Sequence, residues 1–238
     1  MITTLTLLTL SLSAAAEPAT GVDKLVVFAE RAYTAPGEII SDAVITIEDG
    51  KIASIKGGTS ADGADLIADT VTAGLVDMSF RYSTNQNTVE QSEEVTASAR
   101  ISGMLDLHAR GWERALRQGI TTVSAFPYDR NIVGGMGAVL KTGGAKNLEA
   151  RLVKDAAFLR GAMGSLPSSG NRASGSRPSN FYARRPTTRM GVEWEWRKAF
   201  YDAWQETQRK EADRPGRREL MSALSGETPV FIQAWATQ

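Results

Sequence analysis

The chain has no cysteine and only one histidine, His108, in 238 residues. The first absence excludes disulfides, thiolate metal ligands and a cysteine nucleophile. The second excludes a hydrolytic zinc centre built from this chain's own imidazoles, because such a centre needs about three protein ligands. A Ser-His-Asp relay could use only His108, and no serine sits in a G-x-S-x-G elbow. Charge of one sign is also lacking: Lys+Arg and Asp+Glu number 27 each. That balance gives no bulk electrostatic reason to expect nucleic acid or anionic lipid as a partner. No apolar run reaches the roughly 20 residues of a membrane span, so no membrane association is expected once a leader is removed.

Such a leader is expected. Residues 1–12 are apolar with interspersed hydroxyls and run into Ala14-Ala15-Ala16 before Glu17-Pro18. An apolar stretch ending in a small-x-small site reads as a signal peptide over residues 1–16, although its only positive charge is the α-amino group. The expected location is therefore periplasmic or secreted.

Beyond the leader, Leu25-Val26-Val27-Phe28-Ala29 is a β-rich run. Two alternating segments, Ala43-Val44-Ile45-Thr46-Ile47 and Ile52-Ala53-Ser54-Ile55, flank Asp49-Gly50. Asp-Gly tolerates the positive φ that a tight hairpin turn demands, so the pattern predicts two paired strands. Residues 22–72 read as a small β-domain.

From Gly111 the period changes. Trp112, Ala115 and Leu116 share a helical face, and Gly119 stops the helix. The β-branched run Ile120-Thr121-Thr122-Val123-Ser124-Ala125-Phe126 ends at Pro127 and reads as a buried strand, giving half of a βαβ alternation. Residues 164–187, rich in Ser, Gly, Arg, Pro and Asn, read as a disordered insert. Its arginines (Arg172, Arg177, Arg184, Arg185) read as a solvated loop, with no folded basic face around them. Val192, Trp196, Ala199, Phe200 and Ala203 mark a helix of about four turns. Trp194 and Trp204 widen its apolar face, suggesting packing on both sides or against a neighbouring chain. A charged segment, residues 208–219, precedes a final strand at 229–235.

Four segments carry more than local structure. The first is Ile47-Glu48-Asp49-Gly50-Lys51-Ile52 with Gly74-Leu75-Val76-Asp77 after it. The second is Ala115-Leu116-Arg117-Gln118-Gly119-Ile120-Thr121-Thr122-Val123, and the third is Asn131-Ile132-Val133-Gly134-Gly135-Met136-Gly137-Ala138-Val139-Leu140-Lys141. The fourth is Thr188-Arg189-Met190-Gly191 with residues 229–235 following. In this order they resemble the amidohydrolase superfamily, and within it the exported imidazolonepropionase-like amidohydrolases. The resemblance implies an α/β chain with a small β-domain: an incomplete β-sandwich, then a partial metal-dependent-hydrolase (β/α)8 barrel over residues 73–238. A complete barrel alone takes about 250 residues.

The resemblance also implies where the chemistry should lie. The family binds one or two divalent metals, commonly zinc, through a His-x-His pair after the first barrel strand and further histidines in mid-barrel. A bound metal lowers the pKa of its water so that hydroxide forms near neutral pH. In this sequence the pair falls on Ser79 and Arg81, and a later histidine position falls on Gln233. A guanidinium about 4 Å from a dication costs about 8 kcal/mol at an effective dielectric constant near 20. No cofactor is expected on these grounds.

Other candidates carry two readings each. His108 reads as a structural or surface residue, with general acid/base work as the alternative. Lys141 matches the carboxylated, metal-bridging lysine of some family members, and reads otherwise as a surface lysine. Asp77 lies behind the ligand pair in the family, or bonds locally at its strand end. Arg189 reads as fixing the start of the tryptophan-rich helix, with substrate contact as the alternative. The run from Gly134 to Thr142 invites comparison with a phosphate loop, but Leu140 stands where the glycine before Lys-Thr belongs. It reads as a flexible barrel loop.

The expectation is an amidohydrolase-like pseudoenzyme, related to hydrolases of non-peptide C–N bonds and silent as an isolated chain. Two alternatives stand beside it: half of a split metal-dependent amidohydrolase completed by a second chain, and a secreted regulatory or binding subunit that docks on a full-length homologue. The expected partners are a second copy of the chain or a complementing amidohydrolase chain.

Overall fold

The structure is a computed structural model that describes residues 24–58, 60–81, 88–90, 93–169, 186, 188–210 and 213–234. The expected leader and residues 170–185 and 187 of the expected insert lie outside the described residues. The chain divides into two compact units, Met1–Ala73 and Gly74–Gln238.

The first unit is a mixed four-stranded sheet of order β3-β2-β1-β4. Its strands are β1 (Lys24–Ala35), β2 (Glu38–Glu48), β3 (Lys51–Lys56) and β4 (Leu66–Thr72). β1, β2 and β3 pair antiparallel, and β4 lies parallel to β1. Asp49 and Gly50 both adopt positive φ, 51° and 72°, the requirement of the tight turn that the Asp-Gly step predicts. Alternation buries one face, where Ala32, Ala43 and Ile45 pack with Val27, Ile40, Ile47, Ile55 and Val71.

The second unit is a curled half-barrel built on a five-stranded sheet of order β5-β6-β7-β8-β9. The strands are β5 (Leu75–Asp77), β6 (Ile120–Ala125), β7 (Val133–Lys141), β8 (Leu152–Met163) and β9 (Val230–Ala234). β5 and β6 run parallel, as do β8 and β9, while β7 is antiparallel to both of its neighbours. Four strands therefore point the same way and one points back. The parallel pair β5 and β6, with a helix at 110–117 between them, fits the half of a βαβ alternation read from the sequence; a second expectation is corrected. The Gly134–Thr142 run is not a flexible loop: residues 133–138 are buried in the middle of the sheet. Beyond β6 the strand–helix alternation that the barrel resemblance implies gives way to a β6-β7-β8 meander.

Among the described residues five α-helices accompany this sheet: α1 (Arg110–Arg117), α2 (Leu148–Arg151), α3 (Ser165–Ser169), α4 (Arg189–Gln208) and α5 (Arg217–Leu224). α5 occupies the end of the segment that reads as merely charged, because its one buried residue is Leu220. α1 buries Trp112 and Ala115 against Phe80, Val123, Ala125, Ala138 and Leu140. The Trp112 indole Nε1 donates to the Asp106 carbonyl at 2.9 Å, so its single polar atom is satisfied on burial. Leu116 stays exposed, which narrows the expected face.

α4 begins at Thr188, whose hydroxyl accepts a hydrogen bond from the Gly191 amide at 3.1 Å; a cap of this kind contributes about 1 kcal/mol. Val192, Ala199 and Ala203 are buried on the face the 3.6-residue period predicts, packed with Leu159, Met136 and Leu220. Trp196 and Phe200 flank that core. Trp194 and Trp204 lie on the other side and are 58% and 43% exposed.

Candidate functional site

The strand directions decide where chemistry can gather. β5, β6, β8 and β9 all end on the same side of the sheet, and in parallel (β/α)8 barrels the reacting groups come from the C-terminal ends of the strands. Four polar side chains meet there. Arg81 follows β5, Asp129 lies on the β6–β7 connection, Arg160 is near the end of β8, and Gln233 is near the end of β9.

Asp129 and Arg160 form the centre. Arg160 Nε donates to Asp129 Oδ1 at 2.7 Å, and Nη2 donates to Oδ2 at 3.0 Å. This bidentate fork is the strongest geometry available to a carboxylate and a guanidinium. The Arg160 Nη2 also donates to Gln233 Oε1 at 3.2 Å. The side chains are 1% exposed for Asp129 and 9% for Arg160. The guanidinium lies 4.1 Å from the centroid of the Phe126 ring, a cation–π contact strengthened by desolvation. Arg81 reaches in from the rim: its Nη2 is 3.5 Å from Asp129 Oδ2, and its side chain is 46% exposed.

Two of the three positions singled out as altered ligands, Arg81 and Gln233, thus converge on one spot. Ser79 is exposed, and its amide donates to Asp77 Oδ1 at 2.8 Å. Asp77 therefore makes a local bond at its strand end. His108 is exposed in the turn before α1, where its amide donates to Asp106 Oδ1 at 2.9 Å. Lys141 is placed at the opposite end of the sheet. Because β7 runs backwards, Lys141 pairs with Thr122 near the start of β6. A lysine there does not bridge groups held at the ends of β5 and β9. Arg189 is the exposed first residue of α4.

Sequence reasoning missed Asp129 and Arg160. A signal was present for Arg160, a lone charge inside the apolar run Phe158-Leu159-Arg160-Gly161-Ala162. A charge in such a run is almost never fully buried without a partner. Asp129 offered less: one acidic residue two positions beyond Pro127 in a connection.

A divalent ion does not fit this donor set. Both oxygens of the one buried carboxylate are engaged by Arg160, as is the Gln233 carbonyl oxygen. Each guanidinium about 4 Å from a dication would repel it by about 8 kcal/mol at an effective dielectric constant of 20. Among the described residues no group of three or more His, Cys, Asp or Glu could hold a metal.

No protein-family model and no curated protein matches the chain. Among solved structures, an amidohydrolase from Thermotoga maritima MSB8 superposes over 87% of this chain with a TM-score of 0.70 and 21% identity. The chain spans 58% of that protein's length. A. niger ochratoxinase aligns over 42% of this chain and 24% of its own, at 21% identity and a TM-score of 0.26; that score carries no argument. The first likeness establishes an amidohydrolase-like fold.

Proposed function

We propose that this chain is an exported, imidazolonepropionase-like member of the amidohydrolase lineage that performs no metal-dependent hydrolysis on its own. One observation carries the reading: the strand-end position where such a fold places its reacting groups holds a buried Arg160–Asp129 ion pair. Hydrolysis of a C–N bond needs an activated water and a polarised carbonyl. This cluster offers neither a free general base nor uncommitted oxygen donors to hold a Lewis acid, since its one carboxylate and the Gln233 carbonyl oxygen are already engaged by Arg160. The first unit stands for part of the sandwich and the second for part of the barrel.

The purified chain is expected to contain no stoichiometric zinc after dialysis, as measured by elemental analysis, and to melt at the same temperature with and without chelator. About one tightly held zinc per chain would overturn the proposal.

The exposed aromatic side of α4 favours a second reading, in which the chain is a regulatory or complementing subunit that docks on another amidohydrolase chain. Met190, Trp194, Tyr201 and Trp204 recur there at spacings of four, seven and three residues, which keep them on one helical side, and all four are exposed. Exposed apolar patches of this kind mark interaction surfaces. Purified without a partner, the chain is then expected to self-associate in light scattering and to show red-shifted tryptophan emission. A monodisperse monomer with blue-shifted emission would remove this reading.

A further inference from the structure

We infer that the Arg160 guanidinium is a resident cation: it occupies the central position of the strand-end cluster and is the residue that closes the cluster to metal ions. The inference deepens the proposed loss of metal chemistry and rests on it. Ser79, Arg81 and Gln233 explain only why ligands are missing. Arg160 explains why the place is filled.

Three oxygen acceptors from two elements converge on this one group. Asp129 supplies both carboxylate oxygens at 2.7 and 3.0 Å, and Gln233 supplies Oε1 at 3.2 Å. Oxygens gathered in this way demand a positive centre, and a guanidinium meets the demand with fixed donors and no acceptor. Its surroundings do not release it. Arg160 and Asp129 are both more than nine-tenths buried, and the Phe126 ring closes one face of the guanidinium.

Arg81 differs in kind. It touches the same carboxylate from the rim at a longer distance, and nearly half of its side chain is exposed. A long side chain at a surface can turn outward at little cost. Arg81 is therefore a secondary cation, and replacing it does not vacate the centre. Restoring imidazoles at the altered ligand positions is not sufficient for metal binding while Arg160 remains.

The test uses two variants of the full chain without an affinity tag. One carries Ser79→His, Arg81→His and Gln233→His; the other carries these and Arg160→Met. Zn²⁺ alone is titrated by calorimetry, and Tm is followed with and without it. The threefold variant is expected to bind no more zinc than the unaltered chain and to show no zinc-dependent shift in Tm. The fourfold variant is expected to take up about one zinc per chain, with a Tm that rises with zinc concentration. If it does not fold without metal, refolding is measured with and without Zn²⁺, and zinc-dependent refolding supports the inference. Stoichiometric zinc in the threefold variant overturns it, as does a fourfold variant that gains neither binding nor zinc-dependent folding. Zinc bound to the unaltered chain is a separate result, one that defeats the proposed function.

Discussion

Replacing Arg160 with methionine is expected to destabilise the second unit by about 3–5 kcal/mol, the usual cost of removing one partner from a buried ion pair. Asp129 would keep its burial and lose both of its strongest hydrogen bonds, and Gln233 Oε1 would lose its donor. Arg81 would be left as a partner for Asp129 at 3.5 Å, half in solvent, which is a weak replacement. Removing both charges is a different matter. The Asp129→Leu, Arg160→Met double variant leaves no unpaired buried charge, and apolar replacements of similar volume are often neutral or better. The double variant is therefore expected to be more stable than Arg160→Met alone. Urea unfolding of the parent, both single variants and the double gives the coupling energy directly. An Arg160→Met variant within about 1 kcal/mol of the parent would mean that the pair is held by its surroundings and contributes little to the fold.

Gly135→Ala is expected to produce the next largest loss, roughly 3 kcal/mol or more from backbone strain and overpacking together. Gly135 adopts φ of 120°, a region L-residues rarely enter. A Cβ placed there would lie 2.4 Å from the Ala99 carbonyl oxygen. That oxygen does not yield easily, because it accepts a hydrogen bond from the Met136 amide at 2.7 Å. Gly134 is the control. Its added Cβ would meet Pro127 at 3.3 Å and otherwise only ordinary contacts, so Gly134→Ala is expected to cost far less, at most about 1 kcal/mol, the low end of overpacking. Thermal melts of the two variants separate the cases. Equal melting temperatures would show that the strand shifts to accept the methyl group.

The same glycines show why part of the fold was hard to read. Gly134, Gly135 and Gly137 look like loop punctuation, yet all three sit in a buried strand, and at Gly135 and Gly137 neighbours press on the backbone. At Gly137 an added Cβ would fall 2.2 Å from the Phe158 ring, and that ring is stacked on Phe231 at 4.3 Å. The need for glycine there is tertiary and leaves no local mark. The Asp49-Gly50 turn and the buried face of α4 were legible because each depends on neighbours within a few positions. The site was legible in outline only. Arg81 and Gln233 were found through the resemblance, and the structure brings both to one cluster. The pair that defines the cluster joins residues 31 positions apart, and although Arg160 stands out as a lone charge in an apolar run, nothing near it in the sequence points to Asp129. α5 was hidden for a related reason, since a helix that buries one leucine shows almost no period.

The backward course of β7 also has a bearing on the order of assembly. Strands in a sheet are about 4.8 Å apart, so β6 and β8, separated by β7, stand roughly twice that far from each other. Asp129 crosses the gap because it rides on the connection leading into β7. The meander's connections, residues 126–132 and 142–151, are short beside residues 164–229 between β8 and β9, and the chain-entropy cost of closing a loop grows with its length. The Asp129–Arg160 link spans 31 positions, whereas the Arg160–Gln233 link spans 73. Loop length alone therefore ranks the ion pair as an early contact and the docking of β9 as a late one. On that ranking β9 meets an arginine already held in place, and the β9 amides are expected to exchange with deuterium sooner than those of β6, β7 and β8.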